Sequence, residues 1–324
     1  MKALEVHRLS SDLSGVRLAE VARPHAADCE VLVRVRAASL NYPDLLMTRG
    51  EYQFKPTLPF TSGMEMAGEV VENGPGSEFS VGALVMGGTK TGAFAEYVAL
   101  PSTSLRAIPP RLDFAQAAAM GAAYHTAYVA LVELGGLQAG QHVLVHGASG
   151  GVGLAACDLA KALGAHVIAA THTEDKIERI REIARPRAVI LNTGRFRDDV
   201  AKLTDGQLCD LVFDPVGGDL FDENSRCVAF GGKLLVVGFV SGNIPQIPAN
   251  IPLIKGFSVV GVRAGEYARR FPDRGKQVGE AIDALASEGR ITPHIDRILP
   301  LAEWRKAYEA MERGELIGKV VLVP

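Results

Sequence analysis

VLVHGASGGVG, Val143 to Gly153, is the stretch that decides how this chain folds. Its first four residues lean apolar and read as a buried strand; a tight glycine turn and the first turn of a helix follow. That arrangement aims several backbone N–H groups and a helix N-terminus at one place, which suits a pyrophosphate. A lone glycine fingerprint is weak, and the context gives this one its weight. The continuation, LAACDLAKALGAHVIAAT, reads as a helix, a glycine stop at Gly164 and a second strand over Val167 to Ala170. Ala148 stands where the first glycine of GxGxxG is usual, but Gly150, Gly151, Val152 and Gly153 still permit close backbone approach. Ser149 either adds a hydroxyl to a phosphate or serves only the turn.

Outward from this unit, strands and helices alternate: HVIAAT, a charged helix from Glu174 to Ala184, AVILN, an amphipathic stretch, DLVFD, another helix and KLLVVGF. Alternation of this kind predicts a parallel sheet covered on both faces. Upstream, the first ~110 residues are β-rich, with Val-dense runs such as EVLVRVRAASL and MAGEVVENG between Gly and Pro punctuation. FAQAAAMGAAYHTAYVALVELGGL reads as two helical stretches split near Gly121 and closed by Gly135-Gly136. The C-terminal segment from Leu301 predicts a helix and a last strand, KVVLVP, returning to the N-terminal β domain. The expected domains are residues 1–120 with 264–324, and residues 121–263.

The chain has 324 residues with 34 Lys+Arg against 37 Asp+Glu, a net charge of −3. No basic field is present to hold nucleic acid. The four cysteines, Cys29, Cys157, Cys209 and Cys227, show no metal spacing. No run approaches the roughly 18–20 apolar residues of a membrane span, and the N-terminus lacks the apolar core of a signal peptide. A reduced, soluble, cytoplasmic protein is expected.

SLNYPDLL (Ser39–Leu46), LPFTSGMEMAGEV (Leu58–Val70), AYHTAYVAL (Ala123–Leu131), VLVHGASGGVG, DPVGG (Asp214–Gly218) and GKVVL (Gly318–Leu322) occur in this order. Together they resemble the medium-chain dehydrogenase/reductase superfamily, and within it the zinc-free quinone oxidoreductases. The resemblance spans nearly the whole chain. It implies an α/β protein in which a GroES-like β domain receives a Rossmann domain, a doubly wound parallel sheet, with the cofactor in the cleft between them.

Zinc-dependent members carry a catalytic Cys, a Gly-His-Glu motif and a third ligand. The matching positions here read Asn41, Gly63-Met64-Glu65 and Ala122 or a neighbour, so no zinc chemistry is expected. An NAD-specific site places an acid roughly 20 residues past the turn, and Thr171-His172 supplies none. Thr171, Thr173 and Lys176 can instead donate to a 2′-phosphate, with Lys176 reading equally as a solvated helix charge, and the branch associates a Lys near this point with NADPH, the expected cofactor.

A metal-free reductase works by placing the nicotinamide against the acceptor and stabilising developing charge. Quinones and activated C=C bonds accept hydride without a Lewis acid. The resemblance puts Asn41, Tyr42 and Asp44 near the nicotinamide, with Tyr52 a candidate donor and Thr126 close by. Asp44 reads equally as a turn residue after Pro43, and Tyr52 as packing. Gly238, Phe239 and Val240 are expected to border the cofactor; Asp214 reads either as a strand-end residue at the ligand edge or as part of a turn. Arg263 and Gly318-Lys319 are candidates for a cleft, with solvent-facing charge as their ordinary alternative. The leading reading is an NADPH-dependent quinone or enone oxidoreductase, acting on a small molecule and dimeric through FSVVGV (Phe257–Val262). The alternatives are a reductase of α,β-unsaturated acids or thioesters, of acryloyl-CoA or 2-haloacrylate type, and an NADPH-binding protein with little turnover.

Overall fold

The computed structural model describes residues Met1–Pro324, which divide into two units, Met1–Ala122 with Ile295–Pro324, and Ala123–His294. In the first, β1 (Lys2–Val6) pairs antiparallel with β2 (Val16–Glu20). Its main sheet is organised by β3 (Glu30–Ser39), a Val-rich strand whose side chains are nearly all covered. After it come α1 (Tyr42–Arg49), β4 (Phe60–Thr61), which pairs with β1, then β5 (Glu65–Asn73) and β6 (Leu84–Gly88). β7 (Tyr97–Pro101), β8 (Leu105–Ala107) and helix α2 (Phe114–Tyr128) complete the N-terminal part.

The second unit holds the alternation predicted from the sequence. β9 (His142–Val145), α3 (Gly151–Ala162), β10 (His166–Thr171), α4 (Ile177–Ala184), β11 (Ala188–Leu191), α5 (Arg197–Leu203), β12 (Cys209–Asp214), α6 (Leu220–Cys227) and β13 (Val228–Val236) follow in turn. α7 (Asn250–Lys255) then leads to β14 (Ser258–Gly261). The six strands lie in the order β11-β10-β9-β12-β13-β14, and every pairing is parallel. The order reverses between β9 and β12, the switch point at which open α/β sheets bind ligands beyond their strand ends. This is a Rossmann-type sheet. Its centre is dry: Leu144, Ile168, Val212 and Leu234 are fully buried, as strands covered on both faces require.

After α8 (Ala264–Arg270) and α9 (Pro272–Ser287), the chain re-enters the first unit through β15 (Ile295–Pro300), α10 (Trp304–Glu312) and β16 (Lys319–Val323). β16 pairs with β3, Val321 opposite Ser39 and Leu322 opposite Ala38, so the last strand returns as expected. The main sheet runs β15-β16-β3-β5-β6-β8, with β7 also on β3. Trp304 and Tyr308 of α10 pack edge-on beside Phe94 in the core of this unit.

Two segments differ from the sequence reading. Residues 264–294 group with the second unit, because Tyr267 donates to Glu133 at 2.6 Å, Arg274 pairs with Glu133 and the Thr292 N–H donates to Asp158. The helix split expected near Gly121 is absent: α2 runs through it, and the irregularity is a π-helical turn at Val129–Leu134. A single glycine costs a helix only about 1 kcal/mol. The end of the π turn is fixed by Lys233, whose Nζ donates to the carbonyls of Leu134 and Gly135 at 2.9 Å each.

All four cysteines are free, and burial pushes the Cys157 thiol up to about 12, fitting a small hydrophobe inside α3. No helix is long and apolar enough to cross a membrane.

The glycine turn tolerates no side chain at its last position. A Cβ on Gly153 would lie 2.1 Å from the Gly147 carbonyl oxygen and 2.7 Å from its carbon, both backbone atoms that cannot rotate away. Gly153→Ala is expected to destabilise the second unit by about 1–3 kcal/mol, the usual overpacking range. Urea unfolding monitors it; an unchanged midpoint would contradict the close approach of α3 to the turn.

Candidate active site

In the second unit, candidate residues gather at the C-terminal ends of the parallel strands. Gly147, at φ +58°, turns the chain out of β9, and Gly150 donates its N–H back to the Gly147 carbonyl at 2.9 Å. α3 begins at Gly151, so the N–H groups of Gly151, Val152 and Gly153 have no partner within the helix. Ser149 is half-buried beside them. The glycines keep this rim clear of side chains, and the donor set is that of a phosphate cradle.

Beneath the turn lies a polar floor. His146 is fully buried, its Nδ1 is 2.9 Å from the Asn192 amide nitrogen, and burial holds its pKa below the usual value. Asp214 accepts the N–H groups of Val216 and Gly217 through Oδ1 and the Asn224 amide through Oδ2. Asp214 therefore organises its own turn, the second of its two sequence readings. The loop after β13 is tied to that turn, with Val240 donating to the Pro215 carbonyl and Ser241 to that of Val216. This leaves Phe239 and Val240 exposed, next to Gly238.

At the end of β10, Thr171 is buried and its Oγ1 accepts the Thr173 N–H at 3.2 Å. Lys176 closes a 3₁₀ turn (Glu174–Lys176) and is only 8% exposed, while Glu174 and Asp175 are exposed. Thr171, Thr173 and Lys176 thus cluster around one turn with no carboxylate at 171–173. Thr126 is half-buried in α2, and Arg263 is exposed.

The first unit contains a cluster that the sequence did not disclose. Lys319, at the start of β16, is not a solvent-facing charge; it is 6% exposed. Its Nζ donates to the Leu40 carbonyl at 3.2 Å, Asn41 Oδ1 at 2.7 Å and Glu65 Oε1 at 2.9 Å. The Asn41 amide nitrogen donates to Glu65 Oε1 at 2.8 Å and to the Ser39 carbonyl at 3.3 Å. Glu65 Oε2 accepts the Ala122 N–H at 2.8 Å and lies where a Cβ on Gly121 would stand 3.0 Å away. The Gly121 that reads as a helix break is thus the place where a carboxylate meets α2. Asp44, in the first turn of α1, accepts the Asn41 backbone N–H at 2.9 Å and is wholly buried. Burial pushes its carboxyl up to about 7, against the hydrogen bond from Asn41 and the charge of Lys319. Tyr308, buried beside it, shares a 2.9 Å hydrogen bond with Ser62. Tyr42 and Tyr52 are half-buried and pack against the core of this unit.

The residues at the zinc-matching positions do not fit a catalytic zinc, which takes three N, S or O ligands. Asn41 and Glu65 are turned to an ammonium, Met64 packs on the core, and Ala122 offers no side-chain donor.

A glycine-cradled Rossmann sheet together with a β unit carrying buried polar side chains defines a two-domain, dinucleotide-type oxidoreductase. Residues 27–110 match the alcohol dehydrogenase GroES-like domain and residues 151–291 the zinc-binding dehydrogenase domain. Quinone oxidoreductase-like protein 2 homolog of Nematostella vectensis is 38% identical over 297 residues, 90% of this chain and 81% of that one. Among solved structures, a probable oxidoreductase from Mycobacterium abscessus superposes with a TM-score of 0.92 at 36% identity, covering 100% of this chain and 99% of that one. A mycobacterial protein solved complexed with NADPH superposes with a TM-score of 0.91 at 26% identity, covering 100% of both chains. The chain belongs to the medium-chain dehydrogenase/reductase superfamily, in its quinone oxidoreductase-like branch, and is an oxidoreductase.

The burial of the Asp44 carboxyl sets a pH dependence. Asp44 rises from 3.8 in the unfolded chain to about 7 in the folded one, so between these values the folded state holds the extra proton. Stability from this group is complete below about pH 4 and declines as pH climbs towards 7, by at most about 1.4 kcal/mol per unit. Asp44→Asn is expected to remove this decline and to unfold at higher urea than wild type at pH 8. Parallel urea midpoints for both proteins from pH 5 to 8 would contradict it.

Proposed function

We propose that this protein is an NADPH-dependent, zinc-independent reductase that transfers a hydride to a quinone or an activated C=C bond. The observation that carries the reading is the engagement of Asn41 and Glu65 by Lys319. With its three N–H groups donated inside the protein, this cation offers no open position to an alcohol. Acceptors whose new charge spreads over a conjugated oxygen do not need one.

NADPH, when bound, supplies the hydride from its nicotinamide. In the proposed site Ser149, Gly150, Gly151, Val152 and Gly153 hold the pyrophosphate through backbone N–H groups and the α3 dipole. Thr171, Thr173 and Lys176 receive the 2′-phosphate; a buried ammonium is well suited to a doubly charged group. Gly238, Phe239 and Val240 are the further cofactor contacts of this proposal, and Asn41, Tyr52 and Thr126 its catalytic residues, carried over from the family resemblance. Tyr52 is the residue of the three with a hydroxyl suited to donating towards a developing enolate oxygen. The relative solved with NADPH supports this choice of cofactor, and relatives bearing the name quinone oxidoreductase support the acceptor class.

A cytoplasmic homodimer belongs to the same proposal. β14 is an edge strand with Val259 partly exposed, and Phe230, Leu253 and Ile254 near it are 90%, 82% and 73% exposed. A second copy paired along this edge covers an otherwise open strand. Phe230→Asp is expected to shift the sedimenting species from twice 34.4 kDa to one chain; a wild-type monomer at micromolar concentration would overturn this assembly.

Loss of nicotinamide absorbance with a panel of quinones, enones and acrylates tests the reaction. Turnover with NADPH in any acceptor class is expected; binding without oxidation across the panel would leave a binding protein instead. Lys176→Ala should weaken NADPH at least tenfold, about 1.4 kcal/mol, with little effect on NADH; equal losses for both would remove Lys176 from the 2′-phosphate.

A further inference from the structure

We propose that Lys319 is a positioning residue for hydride transfer, the resident cation of the first unit, holding Asn41 and Glu65 within the segments that match the zinc-ligand motifs of zinc-dependent members. The inference rests on the reading above in one respect, that Asn41 lies at the reacting end.

Burying an ammonium and a carboxylate is expensive, and the attraction between them often only offsets the desolvation. Lys319 is 6% exposed and Glu65 2%. An apolar pair of similar volume would fill the space between β16 and β5, on either side of β3, as well, so packing alone gives no reason for the charges. Their geometry does. The Lys319 donors reach two other pieces of chain: the junction between β3 and α1, at Leu40 and Asn41, and the first residue of β5. The cation therefore ties β16, the β3–α1 junction and β5 together at one point.

The Asn41 amide is locked by opposite charges. Its oxygen faces the ammonium at 2.7 Å and its nitrogen faces the Glu65 carboxylate at 2.8 Å. Turning the amide over would set oxygen against carboxylate and NH₂ against ammonium, so a single orientation survives. Both ends of the side chain are consumed in this way. Asn41 consequently serves the reaction by its placement and that of α1, rather than by handing a hydrogen bond to an acceptor.

Glu65 carries the constraint to a fourth element. One oxygen takes Lys319 and Asn41, and the other takes the Ala122 N–H in the body of α2. Asp44 adds a second buried carboxyl, joined to the Asn41 backbone N–H, with the Tyr308 ring close by. Lys319 is the one cation among these groups. Without it, two carboxyls, an amide and a helix terminus lose their common counter-charge.

The experiment compares Lys319→Met, Glu65→Gln and the double variant with wild type, reading urea stability, NADPH affinity by fluorescence titration, and kcat across pH with the best acceptor. Lys319→Met is expected to lower the urea midpoint and kcat at least tenfold, leave NADPH affinity within about twofold, and raise the acid limb of the kcat profile. In the double variant, which removes the ion pair and leaves Asp44 the one carboxyl of the cluster, the midpoint is expected to recover at pH 5, where that carboxyl is protonated, while kcat stays at least tenfold low. Recovery of kcat together with the midpoint would overturn the proposal, because Lys319 would then be only a counter-ion for folding. A loss confined to NADPH affinity would overturn it too, in favour of direct cofactor contact. A wild type that binds NADPH but turns over no acceptor overturns both this inference and the functional reading. An active wild type matched by the double variant overturns this inference alone.

Discussion

The ammonium of Lys319 donates all of its protons to acceptors on two other segments of chain, and the first unit is arranged around that fact. The contact to Asn41 joins residues 278 positions apart. It can form only if the last strand comes back beside β3 after the whole second unit has been built. The β16–β3 register, with Val321 opposite Ser39, brings this about by setting Lys319 next to the turn into α1. The Leu40 N–H donates to Val320 at 3.1 Å and tightens the same corner. Register, helix entry and ion pair are thus one constraint. A slip of one residue would flip β16 and carry the lysine to the other face of the sheet.

The second unit solves a different problem by different means. Its candidate groups are mostly backbone N–H donors, and they need room rather than charge balance. Gly147 turns the chain and Gly153 lets α3 approach the turn, while His146, Asn192, Asp214 and Asn224 hold the floor beneath. A buried polar network restricts a turn where its members are paired, and the paired member here is Asp214, while His146 Nε2, Asn192 Oδ1 and Asn224 Oδ1 have no partner in the protein. Asp214 shows how: one oxygen takes two consecutive N–H groups and the other takes Asn224. The strand end and the loop leading to Gly238 are therefore fixed from inside.

The parallel sheet was legible because each of its strands is a short apolar run bounded by glycine or a charged helix, and local patterns of that kind survive folding. Residues 264–294 were not. What assigns them to the second unit is a set of single long-range contacts, such as Tyr267 to Glu133, which leave no periodicity to read. Gly121 misled for a related reason. A glycine in a helical run looks like a stop, yet here its missing Cβ makes space for Glu65, which comes from a strand 56 residues earlier. Lys319 and Glu65 were each visible as single charges. A lysine opening a run as apolar as VVLV is the local sign that it is buried; its partner and its three acceptors come only from the sheet order.

What kind of reaction suits a saturated ammonium follows from elementary electrostatics. A catalytic zinc keeps one coordination position open and acts on the substrate's own oxygen, lowering the pKa of a bound hydroxyl. Lys319 has no open position. Its charge is paired with Glu65 at 2.9 Å, so what the cluster delivers is rigidity. Rigid placement is worth most where the chemistry needs no strong acid, only a donor and an acceptor carbon held near contact distance. Hydride transfer to a conjugated acceptor meets that description, since the charge it creates is carried away through the acceptor's own π system. Oxidation of a simple alcohol does not, because its proton must first be removed. In the proposed reading, a sealed ion pair beside Asn41 therefore goes with acceptors that stabilise their own charge.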